Sequence, residues 1–198
     1  TLRCGMKGFI IGVVVTLAVL FGGFYLTVSQ GWFPVGADNP PGKLERKYAN
    51  MAMDEYVDKH MPQGNNPVQA DSSNLMEGAM QYEKHCALCH GGGKERTSPL
   101  MHKFSPPVPQ IIQRIPHDPD AHLFWVVKHG IRMTGMPAWD GVMSDDDIWK
   151  TVAFIKHSNN LPPDVQAMWQ QAAQGPSTTN EVTPAAKPQS PQNQPKKR

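Results

Sequence analysis

Cysteine is scarce in this 198-residue chain, which has three, at positions 4, 86 and 89. A structural zinc site normally takes four Cys or His ligands, and no second pair at metal-ligand spacing follows Cys86 and Cys89. Alternating apolar and polar runs are almost missing as well, which argues against the parallel βαβ setting of a thioredoxin-like dithiol. The chain has no internal repeat. Charge is nearly balanced, 19 Lys and Arg against 17 Asp and Glu, and no charged residue interrupts the apolar run from Gly8 to Val28. As a helix that run spans about 32 Å, close to a bilayer core of about 30 Å.

The alternative for this run is a cleaved secretory signal, with small residues at Val35 to Ala37, but it exceeds a signal h-region in length. Arg3 and Lys7 precede it and no basic residue follows until Lys43. The positive-inside tendency then puts the N-terminus in the cytoplasm and the rest outside. Residues 1–30 are expected to be a cytoplasmic stub and membrane anchor, and 31–73 a spacer. In that spacer Trp32 and Phe33 suit an interfacial aromatic belt. Leu44, Tyr48, Met51 and Tyr56 form a helical stripe that predicts a short helix lying on the domain. The globular part is expected over 74–160. The remainder, 161–198, is rich in Pro, Gln, Ser and Lys and is expected to be disordered. Cys4 would face the reducing side as a free or acylated thiol.

The two close cysteines stand in "YEKHCALCHG", residues 82–91. Cys86, Cys89 and His90 make Cys-x-x-Cys-His, the signature for attachment of c-type haem. The two sulfurs add across the vinyl groups while the adjacent imidazole reaches the iron. Upstream, Gly78, Tyr82 and Cys86 are four apart and share a helical stripe. A mid-helix glycine costs about 1 kcal/mol of propensity, which a close helix crossing would explain. Downstream, "DAHLFWVVKHG" predicts a helix closed by Gly130. Ser144 followed by Asp145 to Asp147 reads as a helix start, with Ile148, Trp149, Val152 and Ile155 as its apolar face.

With "GMPAW" at Gly135 to Trp139 and "IWKTVAFIK" in the last of these helices, residues 74–160 resemble a class I monohaem cytochrome c, of mitochondrial-like or cytochrome c6-like type. The resemblance implies an all-α fold, with first and last helices crossing near Gly78 around one covalent haem c. Tyr82 should then lie near Ala153 and Phe154. The proline-rich stretch from Lys94 to Ile115 departs from the family pattern. A sixth iron ligand is expected from methionine, because a thioether raises the reduction potential relative to a second imidazole. Met136, between Gly135 and Pro137, is the first candidate, with Met133 and Met143 as competitors. By the resemblance, the Pro99 carbonyl accepts the outer N–H of His90. Trp139 donates to a haem propionate or merely packs, and Arg132 neutralises a propionate or is solvated. His85 is expected to be solvated, and His102, His117, His122 and His129 to be surface or core residues.

An iron with both axial positions filled can only gain and lose an electron. The expected function is a membrane-anchored electron carrier of the bacterial inner membrane, non-enzymatic, with its haem domain in the periplasm. It would link a donor complex or dehydrogenase to a terminal oxidase or reductase. A fixed subunit of a larger respiratory complex is the alternative, and a gas sensor or peroxidase a further one. The expected partners are redox proteins and, through the N-terminal helix, the membrane, with no nucleic acid and no small-molecule substrate. Between Gly78 and Met136 there are 7 basic and 4 acidic residues; if they ring the haem edge, an acidic docking partner follows.

Overall fold

The computed structural model describes residues 2–92 and 97–174. The Cys4 side chain and residues 175–198, most of the expected disordered tail, lie outside the described residues. Among those described there are seven helices and no strands. Helix α1, Leu2–Ser29, contains the apolar segment Met6–Ser29, long enough to cross a membrane. It stops at Gly31, whose N–H bonds the Val28 carbonyl (3.1 Å) and whose φ of +70° turns the chain so that Trp32 N–H reaches that of Thr27 (3.1 Å). These paired bonds cap carbonyls that the end of the helix would otherwise leave without a partner.

The globular part is built on α3 (Ser72–His85), the short α4 (Ala87–His90), α5 (Asp120–His129), α6 (Asp145–His157) and α7 (Pro163–Gln174). The starts of α3 and α6 follow from their caps: Asp71 accepts from Asn74 N–H at 2.9 Å, and Ser144 from Asp147 N–H at 3.1 Å. The two helices cross at Gly78. A Cβ there would collide with the Lys150 carbonyl oxygen and stand 3.0 Å from Phe154 Cβ. Glycine is therefore the only residue that allows this crossing, as its cost in a helix suggests. Around the crossing, the rings of Tyr82 and Phe154 are 5.6 Å apart, and both meet Trp169 of α7, at 5.6 and 4.8 Å.

That third ring corrects one expectation. Residues 163–174 are not disordered tail: Val165 and Trp169 are buried in the main core with Leu75, Ala79, Cys86 and Phe154. The polar neighbours Gln166, Gln170 and Gln171 lie on the solvent side. They lower the average hydrophobicity without altering the apolar spacing of Val165, Met168 and Trp169. A second core cluster joins Phe124 and Val127 of α5 to Met143, Ile148 and Val152.

Helix α2, Lys43–His60, lies against the domain, but of the stripe expected to pack only Tyr56 takes part. Val57 is its buried residue, Asp58 meets the buried ring of His122 at 3.2 Å, and Tyr56 packs edge-on to Trp125 at 5.7 Å. Leu44, Tyr48 and Met51 remain exposed.

Candidate functional site

The chain turns sharply where α3 gives way to α4. Cys86 ends one helix and begins the other, and its carbonyl accepts from Cys89 N–H (3.1 Å) and His90 N–H (2.8 Å). One helical turn thereby sets the two thiols and the imidazole on neighbouring faces. Three groups hold that turn. The Tyr82 hydroxyl donates to the Gly91 carbonyl at 2.8 Å, the Ser98 hydroxyl to Leu88 O at 2.5 Å, and the Gln110 amide to Cys89 O at 3.3 Å. Gln110 also accepts from Ser98 N–H at 2.9 Å, so the two polar residues brace each other.

His90 is fixed by its ring. Nδ1 lies 2.8 Å from the carbonyl oxygen of Pro109, and since a carbonyl only accepts, Nδ1 carries the hydrogen. Nε2 is then the nitrogen left with a lone pair for a metal. Burial pushes the ring's pKa below the ordinary histidine value, with the bond to Pro109 opposing, so the neutral form that a ligand requires is favoured.

The acceptor is thus not Pro99, the expected one, nine residues after His90. That segment is spent on Ser98 reaching Leu88, and a loop closed by Val108 N–H to Met101 O (2.9 Å) intervenes before the backbone returns to the ring. The signal available in the sequence was "PPVP" at 106–109. Closely spaced prolines make extended backbone whose carbonyls have no local donor.

Cys86 is 5% exposed, and burial, followed by the nearby Cys89, pushes its thiol up to about 12. A thiol so reluctant to ionise is a poor exchange nucleophile, which counts against Cys86 as the attacking thiol of a redox pair. Among the described residues no set of three or more Cys, His, Asp or Glu side chains is placed to hold a metal ion alone, which disfavours the zinc reading. The arrangement fits haem c: two thiols one turn apart and an imidazole of fixed tautomer.

Met136 sits in a loop folded back onto the end of α5. Gly130 has φ +68°, and a Cβ there would stand 2.6 Å from Ala138 N and from the Pro137 carbonyl carbon. Ile131 N–H bonds Met136 O (3.1 Å), Trp139 N–H bonds Lys128 O (3.1 Å), and Met136 N–H bonds the Thr134 hydroxyl (3.0 Å). Gly135 lies flat against the Phe104 ring, where a Cβ would come within 2.7 Å of Cε1. The backbone is therefore tied on both sides of Met136, whose side chain is half-buried against the second core cluster. Its competitors are placed differently. Met133 is 88% exposed on a residue with φ +59°, and Met143 is buried inside the cluster.

The other expectations divide. Arg132 is exposed. Trp139 is half-buried, 4.8 Å ring to ring from His85, so His85 is a packed residue rather than a solvated one. Its pKa is lowered, by burial first and Lys84 second. His102, His117 and His129 are exposed, and His122 is buried against Asp58. Ser98, Phe104, Pro109 and Gln110 are the residues that sequence reasoning missed.

No curated protein matches the chain. A family model does: residues 73–155 match that of cytochrome c oxidase, cbb3-type, subunit III, and the match spans α3 to nearly the end of α6. The crossing at Gly78, the Cys-x-x-Cys-His turn and this match agree that the chain carries a c-type cytochrome domain for covalent haem c behind an apolar N-terminal helix.

Proposed function

We propose that this protein is a membrane-anchored, monohaem electron carrier working on the outer side of a bacterial inner membrane. Cys86 and Cys89 would hold the haem through thioether bonds, and His90 through Nε2 and Met136 through sulfur would bind its iron. The bound group supplies reversible one-electron chemistry. The protein's part is to hold the ring of His90 through Pro109, to brace the turn through Tyr82, Ser98 and Gln110, and to hold Met136 in a loop tied to α5. Were His90 and Met136 both to bind the iron, no position on it would be left for a substrate, so the reading is a carrier and not an enzyme. The carrying observation is the His90 to Pro109 bond, which leaves the correct nitrogen available.

The N-terminus lies in the cytoplasm and the haem domain in the periplasm. A donor complex or dehydrogenase reduces the domain and a terminal oxidase or reductase oxidises it. An acidic partner suits the 7 to 4 excess of basic residues from Gly78 to Met136. Replacing Cys86 and Cys89 together by alanine should abolish the haem-stained band on denaturing gels, and a band of undiminished intensity would rule out the attachment.

A fixed-subunit reading is favoured by one observation, that the matching family model describes an oxidase subunit. Migration in mild detergent separates the two: a tethered shuttle runs alone, whereas a subunit runs with other redox proteins.

A further inference from the structure

Helix α2 has two opposite faces. Met53 and Val57 turn toward the domain, Val57 being 1% exposed, and the Asp58 to His122 contact fastens the same end. At about 3.6 residues per turn, Leu44, Tyr48 and Met51 fall on the side away from Met53 and Val57. They are 70%, 57% and 50% exposed. Lys43 and Lys47 lie along one edge of this stripe, Arg46 shares the side of Met53 and Val57, and Glu45 is the helix's one acidic residue before Asp54. The Glu45 carboxylate accepts from Gly42 N–H at 3.1 Å, as a capping group. The first half of α2 thus exposes an apolar stripe with two lysines along one edge.

What covers the stripe follows from the chain before it. Only residues 30–42 separate the end of α1 from Lys43. Fully extended they reach about 45 Å at most, and the turns at Gly31 and from Gly36 to Asn39 shorten them. Trp32 and Phe33, 74% and 57% exposed, stand just beyond the apolar segment, as residues at a bilayer interface do. Helix α2 therefore stays close to the surface from which α1 emerges. An apolar stripe edged by lysines suits a helix lying in a lipid interface, and anionic headgroups complement the cations.

We propose that the first half of α2 lies in the bilayer interface on the haem-domain side, with Leu44, Tyr48 and Met51 entering the headgroup region and Lys43 and Lys47 meeting anionic phospholipid. The second half of the helix holds the domain, so α2 sets the domain's height and tilt over the membrane. The inference rests on α1 spanning the membrane.

The test uses the full-length holoprotein carrying Cys4→Ser and Met51→Cys, with a nitroxide on the new thiol, in vesicles of phosphatidylcholine and phosphatidylglycerol. Collisions with oxygen, which partitions into lipid, are compared with collisions with a water-soluble nickel chelate. A label at the exposed Gln166 of α7, placed by Gln166→Cys, is the aqueous control. The oxygen-to-nickel ratio should be several-fold higher at 51 than at 166, and should fall toward the control when Leu44→Glu and Tyr48→Glu are added. Equal ratios at 51 and 166 would overturn the proposal. So would a ratio that rises with protein-to-lipid ratio, which marks a second copy as the occupant. Flotation tests α1 separately: protein that floats with an aqueous residue 51 refutes the α2 inference alone, and protein that does not float refutes the anchor with it.

Discussion

Two residues carry the chemistry proposed for iron, and they are prepared differently. His90 is prepared by a hydrogen bond, Met136 by the backbone around it. Met136→His would replace a soft thioether with an imidazole that favours ferric iron, so the reduction potential should fall while the iron stays six-coordinate and low-spin. Redox titration with absorption spectroscopy reads both. Met136→Ala should instead give high-spin or water-ligated iron that binds carbon monoxide when reduced. Met133→Ala and Met143→Ala should retain the weak red band of an iron–sulfur bond. Loss of that band in either control, with retention in Met136→Ala, would transfer the ligand assignment. Ready carbon monoxide binding by the unaltered protein would favour the sensor or peroxidase reading.

Helices α3, α6 and α7 form one packing unit, and substitutions at their contacts should register as stability. Gly78→Ala gains about 1 kcal/mol of helix propensity but drives a methyl into the Lys150 carbonyl, and overpacking costs about 1–3 kcal/mol. The net effect should be a lower denaturant midpoint, with unchanged slope. Trp169→Ala empties the space against Tyr82 and Phe154, and should lower stability by about 3–5 kcal/mol. No change on Trp169→Ala would mean that α7 does not belong to the core. These two residues also mark what the sequence disclosed. Gly78 was legible because a glycine inside a helix is costly and so must be explained, and the turn holding Cys86, Cys89 and His90 was legible because its ligand spacing is local. Trp169 was hidden by the glutamines around it. Pro109 was hidden because its meeting with His90 depends on the path of a loop, which no spacing encodes. The outward face of α2 was hidden for a related reason: a periodic stripe shows that a helix is two-faced, not which face meets the domain.

At the scale of the whole molecule, the apolar α1 and the haem domain are separable parts. Removing residues 1–31 behind a cleavable export signal should release a folded, haem-bearing domain into the soluble periplasmic fraction, as fractionation and absorption spectra would show. Residual association that a salt wash removes would be charge-driven, as Lys43 and Lys47 would produce; sedimentation that survives the wash would mean that α1 is not the principal anchor. The burial of Cys86 has a further consequence, one of timing. Its neighbours in the core include Phe154 and Trp169, 68 and 83 positions later in the chain. Contacts so distant in sequence form late, and a chain delivered from its N-terminus exposes the two thiols before α6 and α7 have arrived to close over them. For a domain exported as proposed, the attachment chemistry has an interval in which the thiols are open, and slowing delivery of the C-terminal third should lengthen that interval and raise the fraction of molecules that leave it carrying haem.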